Sequence, residues 1–312
     1  MSESIVAPGP HGGDAASVAR SAGIDRRDLI DLSMSMNPFA PDVEAVLVGR
    51  LGAVRDYPDP SLSELVLAAA IGVDPARLVL TNGGAEAIAL VAALHPAGRV
   101  DEPEFSLYRR HLTTVGDEAP RWQSNPSNPL GKLQNTSLSV APELGVWDEA
   151  FYPLATGRWT NPLLDAQPVW RLGSLTKPWS CPGLRLGYAI APDIESADRL
   201  RRTQPRWSVN ALALAVIAPL LELTDLAGWS ASIVELRVRF VAALHRAGYT
   251  VIDTDVNWVL IADAAQLRSA VVPYGVLVRD CSSFGLPDIA RVALPRPDQF
   301  DQVIAAFQQV QR

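Results

Sequence analysis

Ser174-Leu175-Thr176-Lys177, followed by Pro182-Gly183-Leu184-Arg185-Leu186-Gly187-Tyr188, sets an amine, a hydroxyl and a guanidinium at short spacing. That trio suits an aldehyde cofactor carrying a phosphate. A lysine whose pKa is lowered by burial can form a Schiff base, whereas an arginine stays protonated and serves as a phosphate ligand. The chain draws its positive charge from arginine and has only two lysines, Lys132 and Lys177. An S-x-x-K match alone is more often a surface loop, so the surrounding sequence decides its meaning.

Working outward, the motif lies between two apolar runs that read as strands, Val169–Leu172 and Leu186–Ile190. Upstream, Leu78–Leu80 is a short strand, Thr81-Asn82-Gly83-Gly84 breaks it, and Ala85–Leu94 continues as an apolar helix. Further strands are expected at Arg99–Asp101 and Gly145–Trp147. Strands alternating with helices imply an α/β fold with a largely parallel sheet covered on both faces. Ser61–Ala70 has helical spacing, with Ser61 as N-cap and Glu64 completing a capping box. The first forty residues are rich in Gly, Pro and Ser and read as an irregular arm.

Toward the C-terminus, Ile233, Leu236, Phe240, Val241 and Leu244 form one helical stripe that ends at Gly248. Strand-like segments follow at Tyr249–Ile252, Trp258–Ile261, Gly275–Arg279 and Ala290–Leu294, then a helix over Phe300–Val310. This order predicts a large α/β domain over 41–221 and a smaller α+β domain over 222–312, joined by the arm 1–40.

At 312 residues the chain can bury a large core, and 48% hydrophobic with 20% charged residues is the balance of a globular enzyme. A net charge of −7 argues against nucleic acid as a partner. Cys181 and Cys281 are too few for a disulfide framework, so a reducing, cytoplasmic setting is the default. Four scattered histidines give no metal-ligand spacing. The N-terminus lacks the pattern of a signal peptide, and the longest apolar run, Ala211–Leu221, is too short to span a membrane and contains Pro219.

Asp148, after Gly145-Val146-Trp147, falls at the C-terminal end of a strand, the edge at which parallel sheets bind ligands. A carboxylate there can hold a proton on a pyridine nitrogen; a loop-opening Asp would look the same. Gly84 and Ala85 open a helix and offer N–H groups to a phosphate, though a plain turn is equally compatible. Asn128, in Asn125-Pro126-Ser127-Asn128-Pro129-Leu130-Gly131, can donate to a phenolate oxygen or belong to an ordinary Asn-Pro turn. Phe105 can stack on an aromatic ring or sit in a core.

Taken in order, these features resemble fold-type I pyridoxal-phosphate (PLP) enzymes of the class I/II aminotransferase group, and the resemblance covers nearly the whole chain. Within the group the sequence is most similar to the threonine-phosphate decarboxylases of cobalamin biosynthesis, near relatives of histidinol-phosphate aminotransferase. His11-Gly12-Gly13-Asp14, Asp31-Leu32-Ser33-Met34-Ser35-Met36-Asn37-Pro38, Tyr57-Pro58-Asp59-Pro60 and Gly275–Phe284 carry that likeness. Phe151, in Asp148-Glu149-Ala150-Phe151, points the same way, because the aminotransferase relatives usually carry a tyrosine there.

The resemblance implies an aspartate aminotransferase-like fold with PLP bound to Lys177 and Asp148 on the pyridine nitrogen. It implies Asn128 at the ring hydroxyl, Phe105 stacked on the ring, and Ser174, Arg185 and the Gly84-Ala85 backbone on the phosphate. Tyr57 would reach the phosphate of a second copy in a homodimer. Arg279 and Arg291 would hold the carboxylate of a small phosphorylated amino acid, with His11 and Asn37 nearby. The implied reaction is decarboxylation of L-threonine O-3-phosphate to (R)-1-aminopropan-2-yl phosphate; the alternative is an aminotransferase acting on histidinol phosphate or a related amino acid. A cofactor-binding protein without catalysis is the third reading. Leu130 replaces the family's usual Thr, and segments 109–124 and 132–146 are shorter than the family norm, so loss of peripheral sheet elements is expected.

Overall fold

The computed structural model describes residues 12–134 and 144–311. These fall into two compact units. The larger comprises Ala40–Asn128 and Leu133–Ser230; the smaller comprises the chain up to Phe39, Pro129–Lys132, and the chain from Ala231 onward. The sequence assigns Pro129–Lys132 to the larger domain, whereas its contacts assign it to the smaller. Trp258 Nε1 donates to Pro129 O at 3.0 Å, Asp255 N donates to Gly131 O at 2.7 Å, and Lys132 pairs with Asp255 at 3.6 Å.

The described chain opens with α1 (Ala15–Ala22) and β1 (Ile30–Asp31). The expectation of a wholly irregular arm is therefore corrected. Ala15, Val18 and Ala19 fall on one stripe that packs with Leu29, Val272 and Leu277, and Gly23 closes the helix at φ 68°.

The larger unit then runs α2 (Val43–Val48), α3 (Ser61–Ile71), β2 (Leu78–Asn82), α4 (Gly84–Leu94), β3 (Ala97–Val100), α5 (Leu107–His111), β4 (Thr114–Val115) and β5 (Arg121–Ser124). It continues with β6 (Gly145–Asp148), α6 (Tyr152–Thr156), β7 (Val169–Ser174), β8 (Leu186–Ile190), α7 (Ile194–Thr203) and α8 (Ala211–Glu222). Seven strands form one sheet in the order β2-β8-β7-β6-β5-β3-β4. Every neighbouring pair is parallel except those of β8, which runs antiparallel to both β2 and β7. The fold is thus α/β with a mostly parallel central sheet. The short stretch 109–124 still supplies β4 and β5, so the expected loss of elements does not reach the sheet there.

One expected local device is absent. Ser61 is the first residue of α3 and does not cap it; Asp59 accepts from Ser61 N at 3.0 Å and from Ser61 Oγ at 2.6 Å. Glu64, expected to close a capping box, instead accepts from Leu80 N at 2.9 Å, tying α3 to β2. Tertiary pairing has overridden the local motif.

The helix α9 (Leu226–Arg246) contains the last unit boundary, between Ser230 and Ala231. Beyond it come β9 (Val251–Ile252), β10 (Trp258–Ile261), α10 (Leu267–Val271), β11 (Val276–Leu277), β12 (Arg279–Asp280), β13 (Ala290–Ala293) and α11 (Phe300–Val310). In the smaller unit β12-β13-β10-β9 form an antiparallel sheet, and β1 pairs in parallel with β11. No single helix among the described residues is long and apolar enough to cross a membrane.

Candidate active site

Sheet register gathers the candidate residues of the larger unit along one edge. Ser124 at the end of β5 pairs with Asp148 at the end of β6, and Ser174 at the end of β7 pairs with Gly187 near the start of β8. Thr81 of β2 also pairs with Gly187. The carboxyl ends of four strands therefore meet at the place where parallel α/β sheets bind their ligands.

At one end of this edge lies a candidate anion cradle. Gly83 has φ 79° and ψ 166°, a conformation open almost only to glycine, and it turns the chain from β2 into α4. A Cβ on Gly83 would sit 2.3 Å from Arg185 Nη2, so the guanidinium lies directly over the turn. A Cβ on Gly187 would lie 2.5 Å from both Gly83 C and Gly84 N, which explains why β8 is glycine where it passes the helix start. Arg185 Nη1 donates to Pro182 O at 3.1 Å. Ser174 Oγ and Thr176 Oγ1 share a hydrogen bond of 2.7 Å. Free N–H groups at a helix start, a guanidinium and a hydroxyl together form a donor set matched to a phosphate.

In the middle of the edge is an acid with defined partners. Asp148 accepts from Tyr108 Oη at 2.9 Å and from Ala150 N at 3.0 Å. Burial pushes its carboxyl up, while those two donors and the positive charge of Lys177 pull it back. The Lys177 ammonium stands 5.2 Å from the centroid of the Phe151 ring. Tyr108 is fully buried, and burial together with the charges of Asp148 and Glu104 holds its phenol well above the ordinary value. It therefore stays a donor. Behind Asp148, the Glu149 carboxyl accepts from Thr160 Oγ1 and Asn161 N, and burial raises it to about 7.

Phe105 meets Tyr108 edge-on at 5.9 Å and packs against the main core. Asn128 is buried, and its backbone N donates to Ser124 Oγ at 2.8 Å. Tyr57 is 79% exposed and contacts the Trp207 ring at 4.7 Å. Sequence reasoning missed Tyr108, three residues beyond Phe105 in the stretch already singled out. A tyrosine one helical turn from a strand-end aromatic was the available signal.

In the smaller unit, Arg279 and Arg291 are cross-strand neighbours on β12 and β13. Both are buried. Arg279 Nη2 donates to Ser283 Oγ at 2.7 Å, and Arg291 Nη2 donates to Ser33 O at 3.4 Å while its guanidinium lies 5.2 Å from the Trp258 ring. Burial lowers the Arg291 pKa to about 10, which still leaves it a cation at neutral pH. Ser33 is itself fixed by Asp31, which accepts from its N at 2.9 Å and its Oγ at 2.6 Å. Asn37 is buried and accepts from Phe39 N at 3.0 Å. His11 lies outside the described residues. Among the described residues no group of three or more His, Cys, Asp or Glu is placed to hold a metal ion.

Comparison with known proteins follows the same lines. The model for aminotransferase class I and II matches residues 122–307. Threonine-phosphate decarboxylase of Salmonella typhimurium is 30% identical over 352 aligned positions that cover 96% of each chain. Histidinol-phosphate aminotransferase of Haloarcula marismortui is 28% identical, covering 94% of this chain and 93% of its own. The crystal structure of histidinol-phosphate aminotransferase from Sinorhizobium meliloti in complex with pyridoxal-5'-phosphate superposes with a TM-score of 0.82 at 18% identity, over 96% of this chain and 94% of that one. A strand-edge cradle beside a lysine and a buried acid defines a PLP-type enzyme of the aspartate aminotransferase-like fold. The chain belongs to the class I and II aminotransferase family. The cofactor of that family is PLP, and the residues present fit it: a phosphate-sized donor set, an amine, and a buried carboxylate.

Proposed function

We propose that the chain decarboxylates L-threonine O-3-phosphate to (R)-1-aminopropan-2-yl phosphate, a reaction of cobalamin biosynthesis. The observation that carries this choice is Phe151 beside the Lys177 ammonium. A phenyl ring brings no hydroxyl to the place where aminotransferase relatives usually carry a tyrosine. The end-to-end similarity to a threonine-phosphate decarboxylase supports the same reading.

In this reading Arg185, Ser174 and the N–H groups of Gly84 and Ala85 hold the cofactor phosphate. Phe105 stacks on the ring, Asn128 faces its hydroxyl, and Asp148, oriented by Tyr108, holds the proton on its nitrogen. When bound, PLP supplies a cationic ring that accepts electrons from a bond broken at Cα of the substrate. Arg279 and Arg291 would grip the substrate carboxylate so that its bond to Cα stands perpendicular to the electron-accepting ring, the position in which that bond, rather than Cα–H, would break. Lys177 then delivers the proton that replaces the lost carbon dioxide. Asn37, with His11 of the arm, serves the substrate and its phosphate.

Tyr57 acts on the phosphate of a second copy in a homodimer. Exposed Val48, Leu51, Val54, Leu62 and Leu65 flank it in sequence, and Trp207, 57% exposed, stacks beside it. Two free, buried cysteines suit a reducing cytoplasm.

The test is incubation of the purified protein with O-phosphothreonine and PLP while carbon dioxide is followed. Stoichiometric release with formation of the amino-propyl phosphate is expected. Conversion of 2-oxoglutarate to glutamate with histidinol phosphate, and no carbon dioxide from phosphothreonine, would overturn decarboxylation in favour of transamination.

A further inference from the structure

We propose that Glu104 is a positioning residue of the cofactor-ring site, its carboxylate locking the Phe105 segment to the end of β5 and, through Ser124, to Asn128. The proposal deepens the reading above and rests on Phe105 and Asn128 meeting the ring.

Glu104 is 6% exposed, in a stretch that is otherwise loop and strand edge. Its two oxygens take three donors. Oε1 accepts from Ser124 N at 2.8 Å; Oε2 accepts from Ser124 Oγ at 2.6 Å and from Phe105 N at 3.1 Å. Ser124 Oγ passes the constraint on, accepting from Asn128 N at 2.8 Å. The same strand end is held from the other side, where Asn125 N donates to Asp148 O at 2.9 Å. One side chain thus joins the backbone of a proposed stacking residue to that of a proposed ring-oxygen donor, at the strand end beside the proposed acid.

The cost of keeping this carboxyl buried is visible. Burial raises it to about 7 despite three donors, and the nearby negative charge of Asp148 adds to the rise. A buried acid so placed needs a use. A purely apolar residue would fill the volume but would leave Phe105 N and Ser124 N without these acceptors, letting both segments shift. Sub-ångström placement of supporting backbone is what a ring-clamping site requires.

The test pairs E104Q with S124A, using apo-protein reconstituted with PLP, and reads the dissociation constant and the visible circular dichroism of the bound cofactor. In E104Q one arm becomes an NH2 group that must face either the Phe105 N–H or the Ser124 N–H, so one of those two bonds is lost with little change of volume. S124A removes only the hydroxyl relay to Asn128. The expected result is about a tenfold loss of PLP affinity in E104Q and a smaller loss in S124A, the scale of one charge-assisted hydrogen bond. A diminished dichroic band should accompany both, since a ring held less firmly loses chiral environment, an effect that a merely structural role would not produce. N128A and F105A serve as references. If they alter affinity or dichroism while E104Q and S124A match wild type, the positioning role is overturned. If E104Q fails to fold, S124A decides alone, with wild-type affinity and dichroism overturning the proposal. If N128A and F105A themselves match wild type, the ring-site reading fails, and the proposal with it.

Discussion

Replacing Gly83 by alanine should damage the proposed phosphate cradle in a way that can be calculated. At φ 79° and ψ 166° a residue with a Cβ carries about 1–3 kcal/mol of backbone strain. The new Cβ would also meet Arg185 Nη2 at 2.3 Å and Cζ at 2.9 Å. To regain van der Waals distance the guanidinium must withdraw by about 1 Å or more. A charge-assisted bond to phosphate contributes about 1.5–3 kcal/mol, so losing its geometry lowers PLP affinity by about 10- to 150-fold. Tryptophan fluorescence quenching by added PLP measures the dissociation constant, and thermal scanning of the apo-protein measures the strain. Gly183→Ala is the control, because a Cβ there meets nothing within 4 Å. G83A should lose affinity and melt several degrees lower, and G183A should do neither. Wild-type affinity and melting in G83A would refute the cradle.

Stability should also respond to pH through two buried acids. Glu104 and Glu149 both stand near 7 in the folded chain, against an ordinary value of 4.5. A carboxyl raised on folding holds its proton more tightly when folded, so stability falls as pH rises from the unfolded value to the folded one. Each group is worth about 3 kcal/mol across that window. The melting temperature should therefore rise as pH drops from 8 to 5.5, and E149Q should flatten the rise; a flat wild-type profile would contradict the assignment. Light scattering should report a dimer, and Trp207→Asp should shift it toward monomer with loss of activity. A fully active monomer would remove Tyr57 from the shared site.

Much of the site was legible because it is local. The turn at Gly83, the strand-end Asp148 and the Ser174–Lys177 turn each follow from a few adjacent residues, and the sheet register then aligns them. Arg121–Ser124 escaped the sequence because a central strand reading Arg-Trp-Gln-Ser has no apolar run; Gln123 and Ser124 are buried by their partners, not by their own character. Glu64 was misassigned to a capping box and Glu104 was passed over for the same reason. The acceptor role of each is set by an N–H brought close by folding, sixteen residues away in one case and twenty in the other. The reversed direction of β8 is likewise a property of topology that no residue in Leu186–Ile190 announces.

The central claim is that Lys177 carries the cofactor. Lys132, the other lysine, is exposed and paired with Asp255 at 3.6 Å, whereas Lys177 is half-buried and acts electrostatically on Asp148. Borohydride reduction of the PLP-loaded protein, followed by peptide mass mapping, reads this directly. One pyridoxyl adduct on the peptide containing Lys177 is the predicted result, and an adduct on Lys132, or none at all, would contradict it.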